Sequence, residues 1–266
     1  MPSFYALRAN PKDADGFGNA IFVEFFADFG YNRGRVCQLD CDLGNRSVSS
    51  QPARLPHLLV LYQRYLDQQE SAGFIGRVSK CYTSGTLERL ARHASREVRR
   101  AAVLALGFLG DYQSNHTLGC ALVDRDRTVR MLAENGIRDL WMRAGNEAER
   151  RELNTIVQLN AAQIHRDALV RATRLIERAP WFAEAWHQRA VAQFASGQMV
   201  EAIRDCHQAL EINPYHFVAA TCMGRAYLEL QNPASALECF RRALRLNPDL
   251  EGIRIQVVRL TRTVEG

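Results

Sequence analysis

The residues of this chain that could carry out chemistry by type and spacing begin near the N-terminus. In residues 13–24, DADGFGNAIFVE, four positions approach the spacing of a calcium loop: Asp13, Asp15, Gly18 and Glu24. Phe17 occupies a position that should supply an oxygen ligand, and Pro11 interrupts the helix that should lead into the loop. The stretch therefore predicts no calcium site.

Cysteines and histidines give no stronger signal for a metal or a nucleophile. Cys37 and Cys41, in CQLDC, are separated by three residues rather than two, and no second Cys or His pair stands at zinc-like spacing. The histidines are scattered outside any HExxH arrangement, and no GxSxG elbow, Walker loop or GxGxxG motif follows a strand pattern. We therefore expect no enzymatic activity, no catalytic residues, no metal and no cofactor.

Composition indicates a folded protein of the cytoplasm. The chain has 266 residues, 47% of them hydrophobic, and a formal net charge of +5. Its basic residues are almost all arginine and run along the whole sequence, whereas a nucleic-acid footprint should cluster. The odd number of cysteines, 7, favours reduced thiols, and no apolar run approaches the roughly 18 residues of a membrane helix. We expect a cytoplasmic protein without a signal peptide or membrane insertion.

An internal repeat occupies the middle of the chain. The segment TLERLARHASREVRRAAVLALGFLGD overlays TLGCALVDRDRTVRMLAENGIRDLWM, so that Thr86 corresponds to Thr117. Apolar residues recur at helical spacing in each copy, as in Val98, Ala102, Leu106 and Leu109. Ser95 and Asp126 precede the second helix of each copy as candidate N-caps. A helix pair with such a stripe must stack on a neighbour to bury it.

Over roughly residues 83–143 this pattern resembles the short bacterial HEAT-like repeats, the type also seen in phycobilin lyases. The resemblance implies that the repeated arginines, Arg99 and Arg130, pair with an acidic residue of an adjacent turn, and Asp124 and Asp126 are the nearby candidates.

A second repeat begins at Ala183, and its period matches the roughly 34 residues of the tetratricopeptide repeat (TPR). Small residues recur where paired helices must approach closely, at Ala190 and Gly224, Ala202 and Ala236, and Ala209 and Ala243. Pro214 and Pro248 close the second helices, because proline cannot continue a helix. The period, the small residues and the two prolines together closely resemble the TPR. A degenerate repeat unit precedes the two units that match the pattern well, and residues 251–266 fit a terminal capping helix.

The resemblance to TPR arrays implies that the first helix of each unit lines a concave groove. The residues that map there are His187, Gln188, Val191, Phe194, Thr221, Cys222, Arg225, Leu228, Ile255 and Arg259. This mixed apolar and basic lining suits an extended or helical peptide with some acidic character. One TPR subclass clamps the C-terminal carboxylate of chaperones with a Lys/Asn/Arg set, but the matching positions here carry His187, Val191, Cys222 and Gln256.

The predicted fold class is all-α, an α-solenoid of antiparallel helix pairs in which HEAT-like repeats precede a TPR superhelix. The predicted domains are an N-terminal segment of uncertain fold (1–56), HEAT-like repeats (57–145) and TPR-like repeats with a capping helix (146–266). Residues 57–80 are predicted to form two helices that cover the apolar end of the first HEAT-like unit. We favour that capping role over a binding role for the aromatic residues Phe22, Phe25, Phe26, Phe29 and Tyr31. The short polar junction at 142–152 predicts that the two arrays pack end to end.

The favoured function is that of a non-enzymatic scaffold or adaptor that binds another protein or a peptide in the TPR groove. An alternative is a binder of nucleic acid or another anionic surface, prompted by the net charge and by Arg89, Arg92, Arg96, Arg99 and Arg100. A third is a chromophore-handling HEAT-type lyase, although phycobilin lyases use longer arrays. Deoxyhypusine hydroxylase, another HEAT-built enzyme, ligates its metals with His-Glu pairs, and no His here is followed by Glu.

Overall fold

A computed structural model describes residues 56–264, and all its regular elements in this range are helical. This confirms the predicted all-α class; the calcium-like loop, Cys37, Cys41 and the N-terminal aromatic residues lie outside the described range. The α-helices are α1 (His57–Gln68), α2 (Ser71–Cys81), α3 (Ser84–Leu90), α4 (Arg96–Leu109), α5 (Asn115–Ala121), α6 (Arg127–Met142), α7 (Glu147–Ala161), α8 (His165–Arg178), α9 (Ala183–Ala195), α10 (Met199–Ile212), α11 (Phe217–Glu229), α12 (Pro233–Leu246) and α13 (Glu251–Val264). None of them combines the length and the apolar character needed to span a bilayer.

Helices α3 to α6 form two antiparallel pairs, and α5 and α6 begin at the positions that the sequence repeat predicts from the starts of α3 and α4. The side chains of Ser95 and Asp126 accept hydrogen bonds from the backbone N–H groups of Val98 and Val129, which confirms both predicted N-caps. The long helices α4 and α6 cross closely enough that a Cβ on Gly107 would lie 3.0 Å from the Cα of Gly136. We call α1 to α6 the N-terminal array.

Helices α1 and α2 pack against α4, on the side where a preceding repeat would lie. Three rings form the contact: Tyr65 lies 5.2 Å from Phe74 and 6.5 Å from Phe108, measured between ring centroids. The prediction of two helices that cover the first pair is thus confirmed for residues 57–81.

Helices α7 to α13 form the C-terminal array. Its first helices α9, α11 and α13 begin at equal intervals along the chain, and the second helices α8, α10 and α12 begin at the same interval. The predicted small residues allow the close packing of the pairs: Ala190, Ala202 and Ala209 are fully buried, and Gly224 lies directly against the ring of Phe240. The second helices α10 and α12 end before the prolines at 214 and 248, as predicted.

The two arrays lie side by side, and the prediction of end-to-end packing is wrong. Only residues 143–146 separate α6 from α7, so the chain turns back sharply between the arrays. Helix α6 then runs along the edge of the C-terminal array, where each second helix leads into the next first helix. Its side chains contact two such junctions. Arg130 pairs with Asp249, before α13, at 2.9 Å. At the start of α11, the Arg138 guanidinium lies 4.7 Å from the Phe217 ring centroid, and Trp141 stacks on His216 at 4.3 Å.

Candidate partner-binding groove

The predicted groove residues lie on the first helices α9, α11 and α13, and their exposure increases along the array. His187 is buried and Gln188 is half-buried, while Arg225, Ile255 and Arg259 are exposed. Between these extremes lie the half-buried residues Val191, Phe194, Thr221, Cys222 and Leu228.

Several half-buried residues of this set also hold helices together. The side chains of Phe194 and Leu228 pack against the core cluster around Phe240, and the Thr221 hydroxyl donates a hydrogen bond of 3.0 Å to the Phe217 carbonyl. The side chains of Phe194 and Leu228 are therefore held by the core beneath them. Arg225 and Arg259, on α11 and α13, are exposed and carry positive charge.

A buried polar network surrounds Glu184, on the first turn of α9, and includes the predicted residues His187 and Gln188. The Glu184 carboxylate accepts three hydrogen bonds: 2.9 Å from His187 Nδ1, 2.8 Å from Gln188 Nε2 and 3.0 Å from His216 Nε2. His216 Nδ1 in turn accepts the backbone N–H of Ala219 at 3.1 Å, so its ring proton is on Nε2. Both carboxylate oxygens accept hydrogen bonds from side chains.

Charge in this network resides on Glu184 and His187. Burial alone would raise the pKa of Glu184, but the positive charge and hydrogen bond of His187, together with the bond from His216, hold it well below its usual range. Burial alone would lower the pKa of His187, but the Glu184 carboxylate raises it. Burial lowers the pKa of His216, which stays neutral beside the ion pair.

The N-terminal array packs against this network. The indole of Trp141 is buried on His216, and its Nε1–H donates a 2.8 Å hydrogen bond to the side-chain oxygen of Asn115. The amide nitrogen of Asn115 donates in turn to Asn213 Oδ1 at 2.9 Å. We call these contacts the seam. They bury polar groups from both arrays in one connected network, which stabilises a single relative position of the two arrays.

The three side chains Glu184, His187 and His216 also meet the distance requirement for a cation site. Their protonation does not suit one, because His216 Nε2 carries the proton that it donates to Glu184, and freeing this nitrogen would cost the hydrogen bond from Ala219. The donor set fits a hydrogen-bonded network better than a metal centre.

Two thiols lie beside this network, between α10 and α11. A hydrogen bond with Cys206 and the positive charges of His187 and Arg225 lower the pKa of Cys222 to about 7.

Three of the five arginines proposed as an alternative binding surface are paired with carboxylates. Arg99 forms the predicted pair with Asp124, through two hydrogen bonds of 2.8 and 2.9 Å. Arg100 pairs in the same bidentate manner with Asp126, at 2.8 and 2.7 Å, and the exposed Arg96 pairs with its neighbour Glu97. These arginines stabilise the turns of their own array.

Arg130 departs from the expectation for its repeat position. Its guanidinium pairs with Asp249 of the C-terminal array, and it reaches Asp124 only through the backbone carbonyl, at 2.9 Å. The prediction that the Asp124 or Asp126 carboxylate would pair with Arg130 is wrong because Arg99 and Arg100 already occupy those carboxylates.

Sequence reasoning missed Glu184, His216 and Trp141 as a unit. Glu184 lies in the first turn of α9, His216 stands directly before α11, and Trp141 comes from the other array. The motif search could not find them, since no local spacing joins the three positions.

Residues 183–216 and residues 218–250 each match a tetratricopeptide repeat family model. Human WD and tetratricopeptide repeats protein 1 is 34% identical over 82 residues, which are 30% of this chain and 12% of that protein. Tetratricopeptide repeat protein 37 of Xenopus laevis is 35% identical over 65 residues, which are 24% of this chain and 4% of that protein. The chain thus corresponds to a small part of these relatives.

Two solved structures are also similar. The first TPR of Spaghetti (RPAP3), bound to the HSP90 peptide SRMEEVD, has 18% identity and a TM-score of 0.44 and covers 46% of this chain and 97% of its own. The TPR2AB domain of yeast Sti1, in complex with pHSP90, has 16% identity and a TM-score of 0.41 and covers 77% and 97%. The C-terminal array contains TPR repeats, as the family models and the regular spacing of its helices show.

Proposed function

We propose that this protein is a non-enzymatic scaffold of the cytoplasm that binds a partner peptide in the open end of the TPR groove. The observation that carries the proposal is a continuous strip on successive first helices, with half-buried apolar side chains beside exposed arginines. The strip consists of Val191, Phe194, Thr221, Arg225, Leu228, Ile255 and Arg259.

The chemistry of the strip defines the peptide class. Phe194 and Leu228 offer apolar area on a rigid floor, which suits Leu or Phe anchors of a peptide. Arg225 and Arg259 are exposed and favour Asp or Glu between those anchors. His187 and Gln188 support the closed end from within and are expected to act on the peptide only indirectly.

The fixed position of the N-terminal array supports this function. A groove held by the seam before the partner arrives loses less conformational freedom on binding than a free superhelix would. We further propose that α3 to α6 are HEAT-like repeats, on the basis of the regular recurrence of the helix pair and of the Arg99 and Asp124 pair. Their role here is to brace the TPR groove.

The test is binding of designed peptides, measured by fluorescence anisotropy. One peptide series alternates Leu or Phe with Asp and Glu, and a second carries Lys at the acidic positions. The variant with Arg225→Glu and Arg259→Glu should bind the acidic series about tenfold or more weakly than the wild type, and it should bind the Lys series better.

A matched control carries the same charge change on second helices, as Arg204→Glu and Arg245→Glu, which are also exposed. It should bind the acidic peptides like the wild type. Equal affinity of all three proteins for the acidic series would remove the groove assignment. Binding to heparin at low salt that is lost in Arg89→Glu with Arg92→Glu, both exposed, and kept in the groove variant would favour the anionic-surface alternative instead.

A further inference from the structure

A second cluster of reactive side chains lies on the outer side of the seam. Cys120 and His116 stand one turn apart on α5, with Cys120 Sγ 3.8 Å from His116 Nε2. The other ring nitrogen, Nδ1, lies 2.5 Å from the hydroxyl of Tyr215, which comes from the loop before α11. The ring of Tyr215 packs directly on Gly119, where a Cβ would overlap it.

In this arrangement the thiol contacts the base, and the base contacts a residue that can orient it. The tyrosine hydroxyl can accept the Nδ1–H, and His116 Nε2 is then free to accept the thiol proton of Cys120. A nucleophile, a base and a group that orients the base are the arrangement by which proteins activate cysteine. Cys120 and His116 are both exposed, so an external reagent can reach them.

Cys120 also borders an open cavity of about 420 Å³. This volume falls within the roughly 300–1,000 Å³ that small-molecule sites occupy. The lining includes three arginines against a single carboxylate, Asp124, which is already paired with Arg99. Arg92 and Arg125 are exposed and leave the cavity with a positive excess. The cavity therefore favours an anionic molecule of low mass.

We propose that Cys120 is a thiol-modification site that exchanges with an anionic low-molecular-weight disulfide, such as oxidised glutathione. This site is separate from the TPR groove, and it does not depend on the function proposed for the groove. His116 takes the thiol proton, and the Cys120 thiolate then attacks one sulfur of the disulfide. The new sulfur–sulfur bond forms as the old one breaks, and the departing thiolate leaves with the electron pair and takes a proton from His116. Cys120 is thereby oxidised to a mixed disulfide, and the other half of the reagent is reduced to a thiol.

The test compares reagents of opposite charge on the full reduced chain. Oxidised glutathione is anionic and cystamine is cationic, while both react by the same exchange. Samples are quenched with an alkylating agent at timed intervals, and each cysteine is quantified by peptide mass spectrometry. Cys81, which is also exposed, serves as the internal reference. Glutathione disulfide should modify Cys120 about tenfold faster than Cys81, and cystamine should show a much smaller preference.

Two variants separate the contributions of charge and base. Arg92→Gln with Arg125→Gln should remove the preference for the anionic reagent, while Arg204→Gln with Arg245→Gln should leave it unchanged. His116→Asn should slow exchange at Cys120 with both reagents, while the exposed control His207→Asn should not. If His116→Asn weakens the contact between α5 and Tyr215, the Arg92→Gln and Arg125→Gln variant still tests the proposal. Equal rates at Cys120 and Cys81, or a Cys120 rate that is indifferent to the sign of the reagent's charge, would overturn the proposal.

Discussion

Replacing Glu184 with glutamine keeps the shape of the side chain but removes the charge at the centre of the buried polar network next to the seam. Glutamine offers one acceptor oxygen, whereas the carboxylate accepts bonds from His187, Gln188 and His216. Its NH₂ group would face either the ring N–H of His216 or the donors of His187 and Gln188. At least one buried donor therefore loses its acceptor, and His187 loses its counter-charge.

The magnitude follows from burial. Glu184 is only 6% exposed, and the removal of one member of a buried ion pair typically costs about 3–5 kcal/mol. Because glutamine retains one acceptor, we expect the lower end, about 3 kcal/mol. For a protein of this size, that corresponds to a fall in Tm of roughly 6–12 °C. Glu152→Gln is the matched control, since Glu152 forms a surface pair with Arg171 and should cost about 1 kcal/mol or less.

The loss should also depend on pH in a defined direction. The pKa of His187 is raised in the folded state, so its stabilisation is complete below about 6.5, its unfolded value, and is lost as the pH rises through the folded value. The pKa of Glu184 is lowered, so its own contribution persists well below 4.5 and does not change near neutrality. The difference between wild type and Glu184→Gln should therefore be largest near about pH 6 and smaller near about pH 8.5.

The assay is urea unfolding followed by far-ultraviolet circular dichroism at both pH values, with wild type, Glu184→Gln and Glu152→Gln in parallel. A shift of the midpoint at constant slope reports the stability change. If Glu184→Gln unfolds at the wild-type urea concentration, Glu184 does not carry a buried ion pair. If the difference between the two proteins grows with pH, the assignment of the charge to His187 is wrong.

Four further substitutions, one of them a control, probe the packing and one ion pair. Gly119→Ala should push Tyr215 off α5 and lower the free energy of unfolding by about 1–3 kcal/mol. Gly76→Ala is the control: a Cβ there meets open space within a helix, so the free energy of unfolding should rise by up to about 1 kcal/mol. A lower urea midpoint for Gly76→Ala than for Gly119→Ala would contradict this. Ala202→Arg forces a long charged chain into a fully buried contact and should cost at least about 1–3 kcal/mol; an unchanged melting curve would refute the TPR register. Asp249→Ala should cost at most about 1 kcal/mol and lose its effect at high salt, measured by unfolding at two ionic strengths, because its pair with Arg130 is partly exposed.

The sequence predicts the parts of this fold that recur at a fixed offset. Ser95 and Asp126 could be recognised as caps because each stands before the same apolar stripe, and a cap satisfies local backbone donors whatever the rest of the chain does. Ala202 could be recognised as a close contact because Ala236 repeats it one period later. Such positions need only their own unit and its neighbour, which is why periodicity reveals them.

The seam could not be predicted in this way, because it joins positions that do not repeat. Trp141 belongs to the repeat of the N-terminal array and His216 to that of the C-terminal array, and two repeats of different period place no constraint on which of their residues meet. Arg130 shows the consequence most directly. Its repeat position predicts a partner within its own array, but Arg99 and Arg100 hold both nearby carboxylates, and Asp249 takes their place once the arrays lie side by side. At Arg130 the partner therefore comes from the other array, because both nearby carboxylates of its own array are already paired.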